Sequence, residues 1–234
     1  MSYSDCLISI HNLANKNRAR ISASFFKTGP GQYGEGDIFI GVTVPETRRV
    51  AKQFSRLSLL EVKKLLKSKI HEERLLALLI LAQQFSHGDD QIRIKIFNFY
   101  QQNIKQVNNW DLVDLSADKI VGAYLLDKPT DWLFVLAQSK NLWERRIAIV
   151  STFYFIKQNK FNDTLALAEI LLKDTHDLIH KAVGWMLREV GKRDQLVLDK
   201  FLSRHYQQMP RTMLRYAIER LAENKRQAYL KNMV

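Results

Sequence analysis

The sequence predicts an all-α chain built as a solenoid of paired helices, and three observations carry that prediction. From Val44 onward apolar residues recur at spacings of three and four, while the alternation of a half-buried strand is hardly visible. Gly and Pro concentrate between Thr28 and Pro45 and then become scarce, which confines the one substantial irregular segment to residues 27–45. Helix-start signals then return at equal spacing, the mark of a repeat.

Thr43 and Glu46 can form a capping box around Pro45, starting a helix that carries Arg48 and Arg49. Ser58 to Ser68 and Glu72 to Phe85 have the spacing of amphipathic helices. The repeated start signals are Asn108 with Asp111, Asn141 with Glu144, and Asp174 with Asp177, each pairing an N-cap side chain with an acid facing the positive end of the helix dipole. Trp110 and Trp143 each stand two positions after the cap in the first two. Small residues fall at matching places, Ala77, Ala148, Ala182 and Ala217, where neighbouring helices could approach closely. Pro210 suits the first turn of a further helix over Arg211 to Leu221. A two-helix repeat of this kind predicts a HEAT-like solenoid, a single domain over residues 1–234 with one long concave face.

Composition gives that face a sign. The 234 residues include 36 Lys plus Arg against 24 Asp plus Glu, a formal net charge of +12, with a sequence pI near 9.7. Such a balance points to a polyanionic partner, nucleic acid ahead of an anionic membrane, and hence to a concave basic groove. Met1 to Ser9 has no basic run leading into an apolar core, and no apolar run is long enough for a bilayer, so a cytoplasmic monomer without a membrane partner is expected. Cys6 is the sole cysteine, which excludes an intramolecular disulfide and leaves an uneventful thiol.

If the second helix of each repeat lines the groove, Trp110, Asp114, Arg146, His180, Lys181, Trp185 and Arg188 form a row across it. Trp110 and Asp114 share one helical face, as do Lys181, Trp185 and Arg188. Cations neutralise phosphates there, and an indole can lie against sugar or base. A helical Trp taken alone is more often core than site. Asp114 would be repelled by phosphate and needs another use, either a salt bridge to Arg145 or Arg146 or a chemical role. Glu72, Glu73 and Glu169 read as solvated or capping groups, as do the histidines His11, His71, His87, His176, His180 and His205, which lack a metal-ligand pattern; His180 alone lies near the repeat position of Arg146. The glycines from Gly29 to Gly41 match neither a phosphate-cradling loop nor a dinucleotide fingerprint, so no cofactor or metal is expected, and the segment reads as a loop packed on the first repeats.

Three segments carry a family resemblance: Asn109-Trp-Asp-Leu-Val-Asp114, Asn141-Leu-Trp-Glu-Arg-Arg-Ile-Ala148 and Ala182-Val-Gly-Trp-Met-Leu-Arg-Glu189. In order and spacing they resemble the AlkD-type DNA alkylation repair glycosylases. Tyr33-Gly-Glu-Gly-Asp37 and Gly41-Val-Thr-Val-Pro45 resemble members of that group as well. The resemblance implies hydrolysis of the N-glycosidic bond of cationic N3- or N7-alkylated purines in duplex DNA, without extrusion of the base. It also implies Asp114 as the catalytic carboxylate, Trp110 and Trp185 as aromatic walls of the sugar site, and Arg146 as a backbone-binding residue, with Arg188 at a further motif position; Arg145, Lys181 and His180, beside or within the row, complete the expected DNA-binding groups. Asn109 and Thr43 depart from the pattern, standing where an aromatic and an amide respectively occur in relatives. Two other readings remain at this point: a non-catalytic binder of duplex or branched DNA, and a protein-interaction scaffold.

Overall fold

The computed structural model describes residues 2–233, and among them the chain is all-α apart from one isolated parallel bridge between Ile38 and Ile70. The chain forms two compact units, one ending at Ile120 and the other beginning at Val121.

The first unit holds α1 (Tyr3–His11), α2 (Lys16–Phe25), α3 (Val44–Gln53), α4 (Leu59–Leu66), α5 (His71–His87), α6 (Asp90–Gln102) and the short α7 (Trp110–Asp114). Helices α1 and α2 precede the region where periodicity predicts helix. The start of α1 is a capping box between Ser2 and Asp5, and that of α2 is the Asn15 side chain accepting from the Arg18 amide. No residue of α2 is buried, so it has no apolar stripe to betray it in the sequence. The capping boxes of Thr43 with Glu46 and of Ser58 with Glu61 start α3 and α4.

Helix α5 corrects the expectation of an amphipathic segment with solvated acids. Every residue from His71 to Ala82 is buried, and α3, α4 and α6 all pack on it. The charged residues of its first turn are sustained by partners far away in sequence. Glu72, 3% exposed, accepts from the backbone amides of Ile40, Gly41 and Val42, and Glu73, 5% exposed, faces His11 Nε2 at 2.7 Å. A buried carboxylate persists only when so bonded. Through Glu72 and the Ile38–Ile70 bridge, α5 holds the irregular segment in place. Gly41 is required there: its φ is +79°, and a Cβ would lie 2.2 Å from the Asn15 carbonyl oxygen.

The second unit comprises α8 (Ala123–Leu125), α9 (Asp131–Ala137), α10 (Leu142–Ser151), α11 (Phe153–Lys157), α12 (Asn162–Leu171), α13 (Asp177–Arg193), α14 (Gln195–His205), α15 (Arg211–Ala217) and α16 (Glu223–Leu230). At its centre, α13 is packed by α10, α11, α12, α14 and α15. Ala148, Ala182 and Ala217 are buried, and α13 touches both α10 and α15, so the matching small residues mark helix-packing positions; Ala77 is likewise buried in α5. Helix α15 ends at Ala217, short of the expected Leu221.

The repeated start signals hold as helix starts, two of the three with a shifted cap. Asn109, not Asn108, caps α7. Asn141 caps α10 as expected, accepting from the Trp143 amide. His176 rather than Asp174 caps α13, its Nδ1 accepting from the Leu178 amide at 3.1 Å. Asp174 is occupied instead by the His176 amide and by Arg145.

Candidate active site and nucleic-acid interface

Helix α7 has only five residues, too few to hold itself together. It is fixed from below by side chains. Asn109, fully buried, accepts from the Trp110 amide at 2.8 Å through Oδ1 and donates Nδ2 to Asp37 Oδ2 at 3.0 Å. Asn109 is therefore cap and tether at once. Asp111, the second residue of α7, turns inward and meets His71 Nε2 at 2.8 Å.

His71, 1% exposed, stands between two carboxylates, with Nδ1 3.0 Å from Asp37 Oδ2. Arg74 closes the group by donating to Asp37 Oδ1 at 2.5 Å and to the Ser68 carbonyl at 3.0 Å. Burial opposes charge on His71, but the hydrogen bonds to Asp111 and Asp37 and their negative charge outweigh it and raise its pKa to about 9. Burial also works against ionised Asp37, yet the hydrogen bond from His71, the charge of Arg74 and the Asn109 amide hold its carboxyl below the ordinary range. His71 is thus a correction to the expectation of solvated or capping histidines; His176 does cap a helix. The only sequence signal was indirect, since Asp37 ends the glycine-rich motif and Asp111 lies within the Trp-Asp motif.

Above this polar group lies a column of rings. His71 stacks on Phe39 with centroids 4.5 Å apart, Phe39 on Phe26 at 4.9 Å, and Phe26 on Trp110 at 5.0 Å with planes 10° apart. Phe25 meets Trp110 edge-on at 5.9 Å and is itself 64% exposed. Trp110 and Asp114 are both half-buried, at opposite ends of one face of α7. Trp110 is thus packed against Phe26 on one ring face while part of the side chain reaches solvent.

In the second unit, Lys181, Trp185 and Arg188 are half-buried along α13. Lys181 pairs with Asp177 at 2.7 Å, Arg188 with Glu219 and Glu189, and Trp185 lies tilted against Phe153 with centroids 5.5 Å apart. Arg145, Arg146 and His180 make hydrogen bonds within this unit. Arg145 donates to Asp174 Oδ2 at 2.6 Å and to the carbonyls of Ser139 and Lys140. Arg146 is 5% exposed and donates to the Leu178 carbonyl, joining α10 to the start of α13. His180 donates Nε2–H to the Asp174 carbonyl.

Cys6 is buried, and burial with the nearby charge of Glu73 and Glu61 pushes its thiol up to about 12, which makes it a poor nucleophile. Among the described residues no three His, Cys, Asp or Glu side chains are grouped so as to hold a metal ion, and no helix is long and apolar enough to cross a membrane.

A family model described as DNA alkylation repair enzyme matches residues 9–221. A solved structure described as a predicted DNA alkylation repair enzyme from Enterococcus faecalis superposes with a TM-score of 0.70 over 90% of this chain and 97% of that one, at 17% identity, a likeness of fold. No curated protein matches the chain.

Proposed function

The chain belongs to the DNA alkylation repair enzyme family, and from that premise we propose that it is a monomeric DNA glycosylase hydrolysing the N-glycosidic bond of cationic N3- or N7-alkylated purines in duplex DNA. The observation that carries this reading is the pairing of Asp114 with Trp110 on one face of a helix held rigidly at its first turn. A base alkylated at N3 or N7 already bears positive charge and departs as a neutral purine, so protonation of the leaving group is not needed. The charge that develops in the transition state lies on the sugar. The carboxylate of Asp114 offsets that oxocarbenium character and orients the attacking water, and the indole of Trp110 offers an electron-rich face to the same cation. A rigid α7 matters because such groups accelerate the reaction only if they are in place before charge appears.

Along α13, Trp185 supplies a second indole for the sugar-phosphate chain, and Lys181 and Arg188 exchange their present carboxylate partners for phosphates. Arg145, Arg146 and His180 act by holding the start of α13.

Asp114→Asn is expected to abolish release of 7-methylguanine from methylated duplex DNA while leaving DNA affinity at low salt within about threefold, a loss confined to the transition state. Mass spectrometry of the released bases reads the first arm and a binding titration the second. An unsubstituted protein that binds duplex DNA but releases no alkylated base would be a binder instead, and the enzyme reading would be lost.

A further inference from the structure

The ion group beneath α7 is larger than a cap requires. Asp37, His71, Arg74 and Asp111 are each buried or nearly so, and they come from three elements: the irregular segment, α5 and α7. A short helix could be fixed by Asn109 and apolar packing without two buried charge pairs, whose desolvation is costly. What these groups hold is the segment carrying Trp110 and Asp114.

We propose that His71, kept as an imidazolium between Asp37 and Asp111, is the positioning residue for Trp110 and Asp114, and that α7 holds its working geometry only while that proton is in place. The inference rests on the reading of those two residues as the face that meets the damaged nucleotide. Its own support is geometric. An ionised carboxylate only accepts hydrogen bonds, and His71 places a ring nitrogen within 3.0 Å of a carboxylate oxygen on each side. Both nitrogens must then carry hydrogen. With Arg74 and His71 positive and the two aspartates negative, the group is neutral. Removing the His71 proton turns one nitrogen lone pair toward a carboxylate and leaves a buried negative charge, so one of the two arms must open.

Opening either arm reaches α7. The Asp111 arm fixes the first turn directly, and the Asp37 arm acts through Asn109, the cap of Trp110. A second route runs through the rings: the imidazolium lies against Phe39, and Phe39 and Phe26 carry the stack to the indole of Trp110. The charged and titratable groups facing His71 are Asp37 from the irregular segment and Asp111 from α7, and Arg74 of its own helix pairs with the far oxygen of Asp37. Its pKa near 9 puts the proton in place at neutral pH and removes it in mild alkali.

The test is a pH titration of the full chain from about pH 7 to 10.5, following by NMR the His71 ring nitrogens and the carbon-bound signals of the Trp110 ring and the Asp114 side chain. The expected result is one shared midpoint near pH 9. The same pH series is then run for excision of 7-methylguanine in single turnover, where the rate is expected to fall at least tenfold through that midpoint. In Asp111→Asn the amide can donate to a neutral imidazole, so the network no longer needs the proton. That variant's rate, relative to its own value at neutral pH, is expected to stay level through about pH 9. A purely structural Asp111 would lower the rate equally at every pH. A His71 ring already neutral near pH 7.5, or a titration that leaves the Trp110 and Asp114 signals unmoved, overturns the proposal. Absence of excision would sink the glycosylase reading alone, because the titration of the unsubstituted protein decides the coupling of His71 to α7 without activity or a variant.

Discussion

Adjacent residues at the start of α5 divide two tasks. His71 faces α7, while Glu72 faces the irregular segment and accepts from three of its backbone amides. Glu72→Ala would leave those amides with no acceptor in a buried place, a loss on the order of 3 kcal/mol. It is expected to lower the urea midpoint and to open residues 28–43 to proteolysis, whereas Glu72→Gln, which keeps one acceptor oxygen, is expected to do much less. His71 contributes in a pH-dependent way. Its folded pKa of about 9 lies above its ordinary 6.5, so its stabilisation is fully present below about pH 6.5 and is lost as pH rises through about 9. For a buried group that shift corresponds to roughly 3 kcal/mol. The melting temperature is therefore expected to fall between about pH 7 and 10, and to fall much less in Asp111→Asn, a comparison that calorimetry makes directly. Neither task was legible in the sequence. Glu72, Glu73 and His71 read as surface groups because their partners, the Ile40–Val42 amides, His11, Asp37 and Asp111, lie roughly 30 to 60 positions away, and periodicity carries no information about such pairs.

At the scale of elements the sequence was more informative, and α13 shows why. Ala148, Ala182 and Ala217 could be identified as equivalent because close helix packing demands a small residue at each crossing, and that demand repeats with the structure. Gly184 is a stronger case of the same rule. A glycine inside a helix costs about 1 kcal/mol relative to alanine, so Gly184→Ala would stabilise α13 if space allowed. A Cβ there would instead lie 2.5 Å from the Met213 carbonyl oxygen and 2.5 Å from Tyr216 Cβ, both on α15. Backbone leaves little room to yield, so overpacking by about 1–3 kcal/mol exceeds the propensity gain. Gly184→Ala is expected to lower the melting temperature; an increase would mean that α15 is free to move aside. Helix starts were legible to within a residue or two, because Asn, Asp and His compete for the cap. Asp174 lost α13 to His176 once Arg145 claimed its carboxylate. Helix α2 leaves no trace in the apolar periodicity, having no buried residue whose spacing could be read.

For the molecule as a whole, charge is the property that sequence states most directly and structure qualifies. Both compact units carry more basic than acidic residues, so the net charge of +12 is not a feature of one end. Many of those cations are nevertheless bound within the fold. Arg74 and Arg146 are buried, and Arg145 serves three protein acceptors. Net charge alone therefore overstates the number of phosphates the chain can engage. If about four are engaged, the slope of log affinity against log salt is near −3.6, and affinity falls roughly a hundredfold between about 50 and 200 mM salt. Lys181→Ala, at a half-buried cation that pairs with Asp177, is expected to make that slope shallower by about one unit. Arg146→Ala is expected to act differently: it removes the donor to the Leu178 carbonyl and lowers stability first, changing affinity mainly through a loosened α13. Titrations of both variants at several salt concentrations, paired with their melting curves, separate these roles. An affinity that hardly responds to salt would remove duplex DNA as the partner and leave the basic surface to a protein scaffold.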